Sequence, residues 1–79
     1  MKARIYVTLK NGVLDPQGKA VAGALGAMNY KEVKDVRIGK FIEVEIEGQS
    51  KKENEARLKE MCEKLLANTV IENYRIEME

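Results

Sequence analysis

Hydrophobic and polar residues alternate along residues 3–9. The apolar residues of this segment fall on odd positions, at Ala3, Ile5, Val7 and Leu9. This period of two predicts a β-strand with one buried face. The Asn11-Gly12 pair that follows is typical of a turn and ends the strand.

A first helix is predicted to begin at Asp15-Pro16, where a carboxylate that can cap the helix precedes proline at the first helical position. Apolar residues then recur at helical spacing, at Ala20, Val21, Ala24, Leu25 and Met28. This spacing places them in one stripe along the helix.

Residues 33–47 form a second β region, in which the aliphatic residues Val36, Ile38, Ile42, Val44 and Ile46 fall on even positions and Phe41 falls on an odd one. Gly39-Lys40 is typical of a two-residue hairpin loop, but that loop would mix the two faces. A three-residue loop over 39–41 keeps Ile38 opposite Ile42, so we favour two strands. The alternative is one long strand kinked at Gly39, which would protrude and pair with a second chain.

A second helix is predicted after Ser50, which with Glu53 forms a capping box. Its apolar stripe consists of Leu58, Met61, Cys62, Leu65 and Leu66. Asn68-Thr69 closes this helix, and alternation over residues 74–78 predicts a last strand. The order β-α-β(-β)-α-β predicts an α+β fold, a ferredoxin-like antiparallel sheet with two helices packed on one face.

Length and composition limit the number of domains and the classes of function open to the chain. Its 79 residues leave room for one domain, and 44% of them are hydrophobic, which fits a globular protein. A domain this small buries a modest share of its surface, so we expect it to gain stability by associating with other chains. The net charge of +1 argues against nucleic-acid binding.

The sequence offers little for catalysis, export or membrane insertion. It has no His, and its one cysteine, Cys62, falls in a predicted apolar stripe, which favours inert packing. No apolar run approaches the length of a membrane span, and the N-terminus resembles no signal peptide. These features predict a cytoplasmic protein that binds no metal and no membrane.

Two segments carry residue types suited to binding. Arg37 and Lys40 flank Gly39 near a strand bend, where they could hold an anion or the carboxylate of a partner. Asn68-Thr69 follows the second helix, where an ordinary cap also explains it. The outer sheet face mixes aromatic and basic residues with several glutamates, which fits docking or self-association better than RNA binding.

The whole chain resembles the PurS family, the small subunit of phosphoribosylformylglycinamidine (FGAM) synthase. Three segments carry the resemblance, in the order and at the spacing of the family: Asp15–Gly18, Val36–Lys40 and Cys62–Glu72. The resemblance implies a single PurS-like domain over residues 1–79 that forms dimers or tetramers.

The resemblance also implies the function. FGAM synthase carries out the fourth step of purine biosynthesis, using ATP, Mg and glutamine on its other subunits, so the small subunit would bind no cofactor itself. It would lack catalytic residues, bridge the glutaminase and large synthetase subunits, and assist ammonia transfer. The residues expected to contact partners are Asp15, Gln17, Gly18, Arg37, Gly39, Lys40, Asn68 and Thr69.

Two other functions remain as alternatives. One is a ferredoxin-like regulatory module that binds a small molecule at a subunit interface, because the fold alone does not decide function. The other is an RNA-binding sheet, which would show weak, salt-sensitive affinity for RNA.

Overall fold

The fold was analysed in a computed structural model that describes residues 1–48 and 50–79. The elements follow the chain in this order: β1 (Lys2–Leu9), α1 (Pro16–Ala27), β2 (Lys40–Glu45), α2 (Lys51–Met61), a π-helical turn (Cys62–Leu66) and β3 (Glu72–Met78). Both predicted helix caps are confirmed, because Asp15 accepts the N–H of Gly18 and Ser50 accepts that of Glu53.

The three strands form an antiparallel sheet in the order β2-β1-β3. Ile5 in the central strand lies opposite Ile42 on one side and Ile76 on the other. The α+β class and the antiparallel sheet are therefore confirmed. Alternation in β1 sends Ala3, Ile5 and Val7 to the buried face, as the pattern predicts.

The core lies between that face of the sheet and α2 with its π-helical turn. Leu58 and Cys62 are fully buried, and Ala67 is nearly so. Residues around them are partly buried against this cluster: Ile42, Val44, Ile46, Met61, Leu66, Tyr74, Ile76 and Met78. The predicted apolar stripe of the second helix therefore faces the core, except for Leu65, which is 82% exposed.

Helix α1 stands apart from this core, which corrects the expectation that both helices pack on one face. Among its residues only Gly18 is buried, and Val21 and Met28 are 39% and 65% exposed. The chain extends over 51 × 25 × 14 Å, with a radius of gyration of 16.0 Å. A compact domain of this length has a radius of gyration of about 12 Å, so α1 projects as an arm.

The favoured hairpin at Gly39 is wrong. Residues 33–39 lie outside any strand, and the only strand of this region is the six-residue β2. The alternative of one long strand over residues 33–47 is also wrong, because the strand observed covers only Lys40–Glu45. The reason is the backbone N–H of Ile38, which donates to the side chain of Asp15 at 2.8 Å and not to a neighbouring strand.

No helix in the described residues is long and apolar enough to span a membrane.

Candidate functional site

The three segments that carry the family resemblance meet at one end of the sheet, where β1 ends and β2 and β3 begin. Lys10 N–H donates to the Ile71 carbonyl at 2.8 Å, which joins the end of β1 to the turn before β3. We call this region the motif end and define it as residues 9–18, 36–40 and 68–72. The predicted site residues therefore lie together, although they are spread over more than fifty positions of sequence.

Asp15 connects two of these segments. It is buried, and its two carboxylate oxygens accept the N–H groups of Gly18 at 2.9 Å and Ile38 at 2.8 Å. These bonds, the one from Ile38 foremost, lower the pKa of Asp15 below its ordinary value. With both oxygens engaged inside the chain, Asp15 positions other groups and offers little to a partner directly.

The two glycines of the site are required by close packing. A Cβ on Gly18 would collide with the carbonyl oxygen of Val36 and a carboxylate oxygen of Asp15. A Cβ on Gly39 would collide with the carbonyl oxygen of Val7. Neither glycine has a side chain to recognise a partner, so their contribution is to bring three backbone segments together.

The two basic residues of the site are used differently. Arg37 is exposed, and its Nη2 donates to the carbonyls of Leu9 at 3.3 Å and Lys10 at 3.2 Å, so it holds the end of β1. Lys40 has a side chain that is 58% exposed, with its Nζ 3.6 Å from Glu72 Oε2. The side chain of Lys40 is therefore largely exposed, while its amino group forms an ion pair with Glu72.

Asn68 organises the turn before β3. Its side-chain Oδ1 accepts the N–H of Val70 at 3.2 Å, and its carbonyl accepts the N–H groups of Ile71 and Glu72. Its own N–H donates to Glu72 Oε1 at 2.7 Å. Thr69 is half-buried within the turn. This segment thus acts as an Asx turn, and not as a simple helix cap.

A surface cavity of about 350 Å³ opens at the motif end. Its lining includes the predicted residues Asp15, Gln17, Gly39 and Lys40. It also includes apolar residues that the sequence analysis did not select, among them Leu14, which is 67% exposed, and Ile71. A large apolar residue in the short loop before α1 was the available signal, because such loops are usually polar.

The outer sheet face carries its own network. The ring of Tyr6 lies 5.2 Å from that of Phe41 and 4.3 Å from the guanidinium carbon of Arg75. The Tyr6 hydroxyl donates to Glu77 at 3.1 Å. Tyr6 therefore makes its ring contact, its cation–π contact and its hydrogen bond with other residues of the same sheet.

The remaining groups to consider are possible metal ligands and the thiol of Cys62. The described residues contain no group of three or more His, Cys, Asp or Glu side chains that could hold a metal ion. Cys62 is buried in the core, and this burial raises the pKa of its thiol, so it stays protonated and packs as an apolar residue.

Comparison with known proteins identifies the family. The family model described as PurS, phosphoribosylformylglycinamidine (FGAM) synthase, matches residues 2–79. The FGAM synthase subunit PurS of Bacillus subtilis (strain 168) is 60% identical over 78 residues, which cover 99% of this chain and 92% of that protein. A solved structure of B. subtilis PurS superposes with a TM-score of 0.88 and covers 99% of this chain and 96% of that one.

Two further solved structures extend the match. PurS of Methanocaldococcus jannaschii, described as a subunit of formylglycinamide ribonucleotide amidotransferase in the purine biosynthetic pathway, gives a TM-score of 0.87 at 38% identity and covers 99% of this chain and 94% of that one. A chain of PurLQS from Thermotoga maritima gives 0.89 at 34% identity and covers 96% of this chain and 93% of that one. The chain therefore belongs to the PurS family of FGAM synthase subunits.

Proposed function

We propose that this chain is the non-catalytic subunit that joins the glutaminase and large synthetase subunits of FGAM synthase and assists ammonia transfer between them in the cytoplasm. The single observation that carries the proposal is the convergence of all three family segments on one end of the sheet, around one surface cavity. Residues 1–79 act as one PurS-like domain in this proposal.

The motif end is the proposed contact surface for a partner subunit. Gln17 is exposed and lies in the cavity lining with Lys40, so both are available for direct contact. Asp15, with Gly18 and Gly39, acts through the backbone that it holds in place. Arg37 and the Asn68-Thr69 turn frame the same surface.

The chain also acts as a homo-oligomer, a dimer or a dimer of dimers, in this proposal. The support is the projecting helix α1, whose apolar residues Val21, Leu25 and Met28 contribute nothing to the core of their own chain. Exposed apolar stripes of this kind mark surfaces that another chain covers.

The test is glutamine-dependent synthase activity of the large and glutaminase subunits, measured with and without this chain. We expect activity to appear only when the chain is added. Ammonia-dependent turnover by the large subunit is the control, because it bypasses transfer between subunits and should not need the chain. Equal glutamine-dependent activity in both mixtures would refute the proposal.

The second candidate function is a regulatory module that binds a small molecule. The cavity favours it, since about 350 Å³ lies within the roughly 300–1,000 Å³ range of small-molecule sites. A ligand-dependent rise in the melting temperature of the isolated chain would support this function.

A further inference from the structure

Glu72 is a charged residue at an inward-facing position of the motif end. It begins β3, and the alternation of that strand places it on the same face as Tyr74 and Ile76, which pack against the core. Its side chain is only 14% exposed. A carboxylate with so little access to water is stable only with partners inside the chain. Both of its partners belong to the proposed contact surface.

The two carboxylate oxygens of Glu72 contact two different segments. Oε1 accepts the N–H of Asn68 at 2.7 Å, and the N–H of Glu72 donates in return to the Asn68 carbonyl at 2.7 Å. Oε2 lies 3.6 Å from Nζ of Lys40. Lys40 begins β2 and Glu72 begins β3, so this ion pair crosses the central strand β1. One side chain therefore connects both edge strands with the turn at Asn68.

The ion pair matters more for the position of Lys40 than for the stability of the fold. Ion pairs with an exposed partner contribute little to stability, and the side chain of Lys40 is largely exposed. An unpaired lysine side chain samples many rotamers, and this freedom is lost when a binding partner immobilises it. The ammonium group has three donors. Because one faces Glu72, the others remain available to a second acceptor.

From these contacts we propose that Glu72 is a positioning residue of the contact surface. It orients the amino group of Lys40 and holds the turn at Asn68, while Lys40 donates to an acceptor group of the partner subunit. Glu72 itself does not contact the partner, because both of its oxygens are engaged and its side chain is little exposed. The inference rests on the proposed function and deepens it, because it names a residue that acts through Lys40.

The variant Glu72→Gln separates the two contacts of this side chain. Glutamine keeps the length of the side chain and an acceptor oxygen for the N–H of Asn68, but it loses the charge that pairs with Lys40. The matched control is Glu60→Gln, which removes the carboxylate 2.9 Å from Nζ of Lys64, in an exposed ion pair outside the motif end. Glu72→Asp keeps the charge on a shorter side chain.

The measurement is the dissociation constant for the partner subunits in a double-mutant cycle of Glu72→Gln and Lys40→Ala. Glu72→Gln alone should weaken binding roughly threefold to tenfold, the range for one side chain that is no longer held in place, and Lys40→Ala at least as much. In the Lys40→Ala background, Glu72→Gln should cause no further loss, because the residue that it positions is absent. Glu72→Asp should bind more tightly than Glu72→Gln, and Glu60→Gln as the unsubstituted chain does.

The outcomes separate this inference from the proposed function. If Glu72 were merely structural, Glu72→Gln would weaken binding equally with and without Lys40. That result, or unchanged binding by Glu72→Gln or by Lys40→Ala, would overturn the inference alone. A Glu72→Gln chain that fails to fold would also overturn it, because the ion pair would then support the fold. Failure of the unsubstituted chain to bind the partner subunits would refute the proposed function, and the inference with it.

Discussion

At the scale of single residues, Asp15 illustrates what sequence reasoning can and cannot find. Its role as the cap of α1 follows from the Asp-Pro pair alone, because the cap bond to Gly18 spans three positions. Its second bond, to Ile38, spans 23 positions and depends on how the chain returns past the helix. A local pattern predicts the first bond and carries no information about the second.

The two bonds of Asp15 predict a specific dependence on pH. Its pKa in the folded chain is lowered, so its contribution to stability is present above the unfolded pKa of about 3.9 and is lost as the pH falls through the folded value. Asp15→Asn retains one acceptor oxygen and loses the charge. We expect this variant to melt several degrees lower at pH 7, and the difference to shrink below about pH 4.

Urea unfolding of both proteins between pH 7 and pH 3 measures this effect. Asp35→Asn is the control, since Asp35 is exposed and bonds only the N–H of the next residue, Val36, among the described contacts. A difference between Asp15→Asn and the unsubstituted chain that stays constant down to pH 3 would contradict this role for the ionised carboxylate.

At the scale of elements, the second β region separates what periodicity determines from what it does not. The even parity of Ile42 and Val44 correctly predicts which side chains face the core, because that depends only on an extended backbone. The hairpin was wrong because a strand needs a partner for its N–H groups. The side chain of Asp15 accepts a hydrogen bond from the N–H of Ile38, so this N–H pairs with no strand. The strand β2 begins only at Lys40, where it pairs with β1.

Gly39 is predicted to tolerate no side chain at this strand start. A Cβ there meets the backbone carbonyl of Val7, which cannot move without shifting the central strand. Gly39→Ala should therefore lower the free energy of unfolding by about 1–3 kcal/mol, the usual cost of overpacking. Gly23→Ala is the matched control, because a Cβ at Gly23 in α1 meets nothing within 4 Å.

Thermal and urea unfolding compare the two alanine variants. Gly23→Ala should stabilise α1 slightly, by roughly 0.5–1 kcal/mol, since alanine favours helix over glycine. If Gly39→Ala is as stable as Gly23→Ala, then the close approach of Gly39 to β1 is not a constraint on this fold.

At the scale of the whole molecule, the projecting arm is the feature that sequence reasoning anticipated least. The sequence predicts the apolar stripe of α1 but not the surface that covers it. An amphipathic helix packs equally well on its own sheet or on another chain. The Asp15–Ile38 bond and the fit of Gly18 against Val36 attach the start of the arm to the segment before β2.

This shape predicts that the chain associates. Sedimentation at micromolar concentration should give a mass of two or four times the 8.9 kDa of one chain. Val21→Glu places a charge in the stripe of α1 and should shift the chain toward the monomer, with a loss of stability because association and folding are linked. Lys19→Glu, which changes an exposed polar position of the same helix, should leave the mass unchanged.

A compact 8.9 kDa monomer, with the Val21 amide slow to exchange hydrogen, would mean that α1 folds back onto its own sheet. In that case the bonds of Asp15 would not hold the arm in solution, and the same protein would melt independently of its concentration. Melting temperature against concentration therefore tests the arm a second time. It should rise with concentration if folded chains associate, and Val21→Glu should abolish that rise if a second chain covers Val21.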